Sequence, residues 1–239
     1  MLTAESTFRE LLQDDQRAYE ALQTAFEKNP RSEWLAIRIS KRFSDGSMHD
    51  EAKKVLLRCA QENPGSRAVQ FALAQHYIFH GTSDESADVL QLLRRSFVDD
   101  DIHFDAQYWY ARELVITGQV DKANRLFAKF RHAPLSPHIR NRVRGLIRGK
   151  SGGNRRFAAT VRKKEESYIF ARPNGFPVDV YCHRSQASDE LWNHLSVGSA
   201  VEMAIGFSMR GPAGMDLSSS SGNATLGHDV TPGAARGPA

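Results

Sequence analysis

The chain has 239 residues, of which 41% are hydrophobic, so it is long enough for two modest domains with apolar cores. Its net charge is +4, and its two cysteines, Cys59 and Cys182, show no CxxC or His-rich spacing, which argues against a disulfide framework or a zinc site. The N-terminus is charged from its first few residues, unlike a signal peptide, and no apolar run approaches the roughly 20 residues of a membrane helix. We therefore expect a cytoplasmic protein with no membrane partner.

Residues 1–137 show an internal period that is typical of stacked helices. Pro30 and Pro64 lie 34 residues apart, and each follows a stretch with apolar residues at helical spacing. Small residues recur at a similar interval, at Ala18, Ala52, Ala87 and Ala123. A small side chain lets paired helices approach closely, and proline ends a helix because it cannot continue the hydrogen-bond ladder. The period predicts about four helix pairs over residues 10–137.

This pattern resembles the tetratricopeptide repeat. The resemblance implies an α-helical solenoid whose concave surface binds a protein or a peptide. A spacer or an oligomerisation arm is the alternative, because the side chains expected in the groove, such as Trp34 and Phe71, do not identify a ligand. We interpret Tyr108 and Trp109 as core residues, since large residues in helices are usually buried.

Positive charge is concentrated in residues 131–172, which carry 12 Lys/Arg against 2 Asp/Glu, while the stretches on either side each have a net charge of −3. Such a concentration predicts a phosphate-binding surface, although a solvated helix face is an alternative. Within it, residues 138–148 have apolar side chains at helical spacing and predict a short basic helix that docks on the last repeat. Residues 149–154 (GKSGGN) predict a flexible linker.

From Phe157 onward the hydrophobic pattern changes from helical to alternating. Turn-forming residues divide residues 155–217 into five short strands, which predict a small closed antiparallel barrel. Alternate residues of a strand share a face, so Tyr168 and Phe170 should point outward together, as should Tyr181 and His183 on the next strand. The residues predicted to point into the barrel are Ile169, Ala171, Val180 and Cys182.

Three short segments of this region resemble the motifs of cold-shock domains. Residues 167–171 (SYIFA) stand in place of that family's KGFGFI motif, residues 179–185 (DVYCHRS) in place of its DVFVHRS motif, and residues 211–217 (GPAGMDL) near its GPxAxNV ending. The resemblance implies an OB fold that binds single-stranded nucleic acid by stacking bases on exposed aromatic rings. The chain departs from the family on the first strand, where Lys163 stands near the place of an exposed aromatic.

The candidate site combines outward aromatic side chains with nearby cations. The candidate nucleic-acid-binding residues are Tyr168, Phe170, Tyr181, His183, Arg162, Lys163, Lys164, Arg172 and Arg184. Each base that stacks on an aromatic ring contributes about 1–3 kcal/mol, and cations add phosphate contacts that weaken with salt. The aromatics could instead pack against the helical half or a partner. Trp192, in the loop after the third strand, is expected to cap the barrel.

The sequence thus predicts an α+β multidomain protein: a tetratricopeptide-like solenoid (1–137), a basic helix and linker (138–154), an OB/cold-shock-like barrel (155–217) and a disordered tail (218–239). The sequence has no phosphate-binding Gly-Lys loop, metal cluster or nucleophile motif. We expect a non-catalytic protein without a cofactor that couples a protein-interaction scaffold to a reader of single-stranded RNA or DNA, with RNA favoured. The alternatives are a pure protein-interaction module and the regulatory end of a larger enzyme.

Overall fold

The computed structural model describes residues 17–82, 85–101, 104–149 and 152–220. The predictions made for the first 16 residues and for the tail after residue 220 lie outside these ranges. The helical half contains α1 (17–28), α2 (Glu33–Asp45), α3 (His49–Glu62), α4 (Arg67–His80), α5 (Ser86–Arg95), α6 (Phe104–Ile116), α7 (Val120–His132) and the short α8 (Pro137–Asn141).

Helices α2 to α7 pack as three successive pairs, α2 with α3, α4 with α5 and α6 with α7, and each pair contacts the next. Pro30 and Pro64 lie in the turns that follow α1 and α3, where the period predicted that helices would end. Ser32 and Ser66 cap the next helices, because each hydroxyl accepts a hydrogen bond from an amide of the first turn. The helical repeat predicted for this half is present in the structure.

The repeated small residues are not equivalent in the four units. Ala52 and Ala123 are fully buried, as expected for residues at a close helix contact, whereas Ala18 and Ala87 are exposed. The position predicted for Ala87 is wrong because α5 begins at Ser86, which turns Ala87 outward and buries Val89 and Leu93 instead. The period therefore located the helices correctly but misassigned the buried face of two of them.

The second half is a closed barrel of five strands, with bounds β1 (Arg156–Lys164), β2 (Tyr168–Pro173), β3 (Val180–His183), β4 (Ala200–Ser208) and β5 (Gly211–Ser219). The strands are ordered β1-β2-β3-β5-β4 around the ring. The prediction of an all-antiparallel barrel is wrong at one seam, where β3 and β5 pair in parallel through Tyr181 and Ala213. A closed ring with an odd number of strands cannot alternate direction throughout. Strand β5 also includes Ser218 and Ser219, which the sequence assigned to a disordered tail.

The inside of the barrel is filled by the alternate residues that the sequence predicted. Ile169, Ala171, Val180 and Cys182 are each fully buried. Trp192 lies on α9 (Asp189–His194), between β3 and β4, and is only 3% exposed. Its side chain belongs to the same hydrophobic cluster as the barrel interior, in agreement with the expected cap.

The connection between the halves differs from the predicted basic helix. Helix α8 ends at Asn141, and the chain then runs extended beside β4, where the Arg144 and Phe207 backbones exchange hydrogen bonds and the Ile147 amide donates to the Ile205 carbonyl. Gly206 allows this approach, because a Cβ atom there would lie 2.6 Å from Cγ1 of Val143. The helix predicted over 138–148 is thus wrong after Asn141, since β4 supplies other partners for the backbone.

Residues 149–154, predicted as a flexible linker, are joined by backbone hydrogen bonds between the described residues on either side of Lys150 and Ser151. The Gly149 amide donates to the Gly153 carbonyl, and the Arg155 amide donates to the Ile147 carbonyl. Lys150 and Ser151 are outside the described residues. The connection therefore leads directly into β1.

The helical half and the barrel share one cluster of buried side chains. Tyr108 and Trp109 of α6 are 0% and 6% exposed, which confirms that they are core residues. The Tyr108 hydroxyl lies 3.0 Å from the Arg144 carbonyl and 2.8 Å from the Phe207 carbonyl, and Nε of Arg112 donates to the Gly145 carbonyl at 2.7 Å. These contacts fix the connection and β4 against α6.

Candidate nucleic-acid interface

Three aromatic rings lie together on the outer face of β2 and β3. The register pairs Tyr168 with His183 and Phe170 with Tyr181, so the four side chains predicted to share a face do so. The ring centroids of Tyr168, Phe170 and Tyr181 are 5.5–5.9 Å apart, and Phe170 meets both tyrosines nearly edge to face. We call these three residues the aromatic cluster. Tyr181 is its most open member at 37% exposure, while the other two rings are half-buried.

His183 is exposed at the edge of the aromatic cluster, and its ring is held by local hydrogen bonds. Its Nδ1 accepts a hydrogen bond from the Ser185 amide at 3.2 Å and lies 2.9 Å from the Ser185 hydroxyl. These contacts cap the short 3-10 helix Arg184–Gln186. The imidazole is therefore oriented before any ligand arrives.

Three of the predicted cations are neutralised by carboxylates close to them in the sequence. Lys163, which lies beside Phe170 in the β1–β2 register, pairs with Glu165 at 2.8 Å, and its hydrogen bond to that carboxylate raises the pKa of the lysine. The other two ion pairs are Arg172–Asp179 at 2.6 Å and Arg184–Asp189 at 2.9 Å. These pairs are exposed, so phosphate can compete with the carboxylates, but each phosphate contact then costs an existing ion pair.

Lys164 and Arg162 differ from the paired cations. The Lys164 ammonium donates to the carbonyls of Trp192 and Leu195, both at 2.7 Å, and so satisfies the C-terminal end of α9. Arg162 is exposed at an irregularity in the β1–β2 register, and no carboxylate in the described ranges pairs with it. Lys164 is thus a structural residue, whereas Arg162 remains available to a ligand.

Five arginines of the basic stretch 131–172 already contact other groups of the chain. Arg140 donates to the carbonyls of Ala133 and Leu135, Arg144 pairs with Asp105 at 2.6 Å, and Arg156 donates to carbonyls of β4 and β5. Arg148 and Arg155 each lie over the ring of a phenylalanine. The high local charge therefore overstates the number of cations that are free to bind phosphate.

A groove of about 760 Å³ lies beside the aromatic cluster, a volume within the range of about 300–1,000 Å³ that is usual for ligand sites. Its walls come from the barrel and from the helical half. The polar and aromatic residues along it are Arg131, Asn141, Tyr168, Phe170, Asp179, Tyr181, His183, Ser185, Gln186, Ser208 and Arg210. Arg131 begins the basic stretch 131–172, but the sequence does not place it or Asn141 beside the aromatic cluster, because only the tertiary fold brings α7 and α8 to the barrel. Arg210 could have been noticed, since it opens the turn before β5.

The two cysteines have no environment that would activate a nucleophile. Both are free and buried, and burial raises the pKa of Cys182 to about 12 and also raises the pKa of Cys59. Within the described part of the chain, no group of three His, Cys, Asp or Glu side chains is placed to hold a metal ion, and no helix is long and apolar enough to cross a membrane.

Comparisons with known proteins do not assign the chain to a family. No protein-family model matches it, and no curated protein matches it. Two solved structures, described as the crystal structure of MamA protein and the crystal structure of MamA, are each 18% identical to it with a TM-score of 0.40. The first alignment covers 52% of this chain and 66% of the other, and the second covers 51% and 69%.

Proposed function

We propose that this protein binds single-stranded nucleic acid, RNA in preference to DNA, on the β2–β3 face of a cold-shock-like OB barrel. The helical half would act as a tetratricopeptide-like arm that binds a protein or peptide partner. The observation that carries the proposal is the aromatic cluster, which lies on the outer face of β2 and β3 beside a groove. In OB folds, this face and the loops around it are where oligonucleotides bind.

The chemistry of the cluster favours unpaired bases. Every base has a π-face that can stack on an aromatic ring, and duplexes do not expose these faces. The nearby cations are mostly paired, so stacking supplies a larger share of the affinity than phosphate contacts. We therefore expect weak and sequence-tolerant binding, with a salt dependence set by the few free cations.

The proposal is tested by fluorescence anisotropy of the full chain with a labelled single-stranded RNA, the same sequence as DNA, and a duplex. An OB fold covers about 4–16 nucleotides, which sets the length of the probe. Replacing Tyr168, Phe170 or Tyr181 with alanine should each weaken binding to the single strand by about 1–3 kcal/mol, or roughly five- to a hundredfold. The matched control is Trp34→Ala, which removes an aromatic that is 59% exposed but lies in the helical half. Alanine variants that bind as tightly as the native chain at moderate salt would contradict the proposal.

The second candidate is a protein-interaction module without a nucleic-acid ligand. It is favoured by Trp34 on α2, an exposed ring with the Arg38 guanidinium 5.4 Å from its centroid. Arginine and tryptophan are common in the centres of protein interfaces. If single-stranded RNA fails to bind even at low salt, this candidate replaces the first. Neither candidate gives the chain a catalytic role.

A further inference from the structure

The groove beside the aromatic cluster contains two arginines that the predicted site did not include. Arg131 lies near the end of α7, and Arg210 lies in the turn between β4 and β5. Both side chains are exposed, and among the described residues no carboxylate forms an ion pair with either one. They differ in this respect from Lys163, Arg172 and Arg184.

The wall that carries Arg131 is held in place relative to the barrel. The Met209 amide, just after β4, donates to the Arg140 carbonyl of α8, and the Arg140 guanidinium donates to the carbonyls of Ala133 and Leu135 that follow α7. Asn141, the last residue of α8, faces the same groove. The helical half therefore forms one side of the groove as a fixed surface.

The opposite side of the groove is continuous with the aromatic cluster. Arg210 is close enough to Tyr181 that its charge opposes the rise in the phenol pKa that burial causes. Residues 211–214 at the start of β5 also line the groove, and Ala213 pairs with Tyr181 in the parallel seam. The acidic residue of the groove, Asp179, is already paired with Arg172.

We infer that the nucleic-acid strand crosses the aromatic cluster and continues into the groove between the barrel and the helical half, where Arg131 and Arg210 bind its phosphates. The inference rests on the proposed function and extends it, because it makes the helical half part of the nucleic-acid site. Asn141 is placed to bind the sugar-phosphate backbone or a base edge, since its amide can both donate and accept. The two arginines of the groove thus add phosphate contacts on the β5 side of the aromatic cluster, whereas among the described residues on the β1 side Lys163 is paired and Arg162 alone is available.

The test uses the full chain and a labelled single-stranded RNA in titrations over a series of salt concentrations. Arg131→Gln and Arg210→Gln should each weaken binding, and each should reduce the slope of log affinity against log salt by about 0.7, the value for one phosphate contact on a single strand. The matched control is Arg125→Gln, which removes the same charge from an exposed position of α7 that does not line the groove. This variant should keep the native slope.

The outcomes separate the inference from the function on which it rests. If Tyr181→Ala weakens binding but Arg131→Gln and Arg210→Gln behave like Arg125→Gln, the barrel binds nucleic acid and the groove does not, which overturns the inference alone. If all three glutamine variants reduce the slope of log affinity against log salt by the same amount, the effect comes from total charge, and the inference is again wrong. If no single strand binds, or if Tyr181→Ala binds normally, both the function and the inference are overturned.

Discussion

At the scale of single residues, Gly145 marks the closest contact between the helical half and the connection to the barrel. Its φ of +61° lies in the left-handed region, which disfavours residues with a side chain. A Cβ atom at this position would lie 3.1 Å from Cδ and Nε of Arg112 and 3.3 Å from the ring of Trp109. The buried Arg112 guanidinium would have to move, although its Nε donates to the Gly145 carbonyl. Glycine is therefore needed at this position because a side chain would contact Arg112 and Trp109 too closely and because the φ angle is positive.

Gly145→Ala should lower the free energy of unfolding by more than the matched variant Gly118→Ala. Gly118 also has a positive φ, of +79°, but a Cβ atom there would meet nothing within 4 Å. Both variants carry the conformational cost, about 1–2 kcal/mol, and only Gly145→Ala adds the cost of displacing core groups, about 1–3 kcal/mol. Urea denaturation measures both values, and equal losses would mean that Arg112 moves aside without cost.

At the scale of elements, three histidines join α3 to α4. His49 opens α3, and its ring stacks on that of His80 at 3.7 Å, while the His76 ring is 5.4 Å from His80. Burial, followed by the charges of His49, His76 and Arg148, lowers the pKa of His80 to about 4. Burial also lowers the pKa of His76, and the Lys53–Glu85 ion pair and Asp50 act on the same ring. His76 and His80 are therefore neutral in the folded protein at neutral pH.

This cluster predicts a stability that falls with acidification. Because the pKa of His80 is lower in the folded state than its ordinary value of 6.5, the unfolded chain binds more protons between about pH 6.5 and pH 4. The folded state is thus fully favoured above this window and loses stability as the pH falls through it. We expect the melting temperature of the native chain to drop over the window, and His80→Gln to reduce that drop. Thermal unfolding followed by circular dichroism at several pH values measures both, and an unchanged pH dependence in His80→Gln would exclude the histidine as its source.

The elements themselves could largely be predicted from the sequence, and the exceptions have tertiary causes. Helical and alternating periods located the paired helices and the five strands, because each element buries one regular face. Residues 142–148 were mispredicted because their apolar side chains fit helical spacing, while the choice of structure depended on hydrogen bonds to β4, far away in the chain. The parallel seam between β3 and β5 follows from the odd number of strands and could have been predicted.

In the candidate site, too, the features that depend on local sequence could be predicted and those that depend on tertiary packing could not. The outward placement of Tyr168, Phe170, Tyr181 and His183 follows from strand alternation, which is local. The pairing of Lys163 with Glu165 is local too and could have been anticipated from their spacing. The basic stretch 131–172 includes Arg131, but its place in the groove, like that of Asn141, could not be found in this way, because it depends on the packing of α7 and α8 on the barrel.

At the scale of the whole molecule, buried contacts divide the chain differently from the two predicted halves. One cluster of buried residues joins α4 to α7 with the barrel, and Tyr108 binds the connection and β4 within it. A second cluster, which includes Tyr19, Phe26, Ile39 and Cys59, holds the described helices α1 to α3 together and reaches α4 through Val69. The two clusters thus meet at α4, inside the helical repeat and not between the helical half and the barrel.

Hydrogen exchange should report this division. Amides in α6 and β4 should open with the same free energy, because they belong to one core, while amides in α2 should open with a lower one, as terminal repeats of a solenoid can separate first. Native-state hydrogen exchange at increasing urea concentration, followed by mass spectrometry, measures the opening free energies of α2, α6 and β4 in one experiment. Protection of β4 that differs clearly from that of α6 would contradict a shared unit.

The extended connection beside β4 limits where the barrel can be separated from the rest of the chain. Val143 fits into the space that Gly206 leaves free, and the backbones of Arg144 and Ile147 are bonded to β4. A barrel transferred to another protein from residue 155 onward would lack the extended connection. The backbone groups of β4 that the connection binds would then be unpaired, and an unpaired strand edge promotes aggregation. A transferable barrel therefore needs at least the chain from α8 onward, and the core that it shares with α4 to α7 ties it to those helices as well. Recombination or gene fusion between residues 149 and 154 would separate parts that share this core.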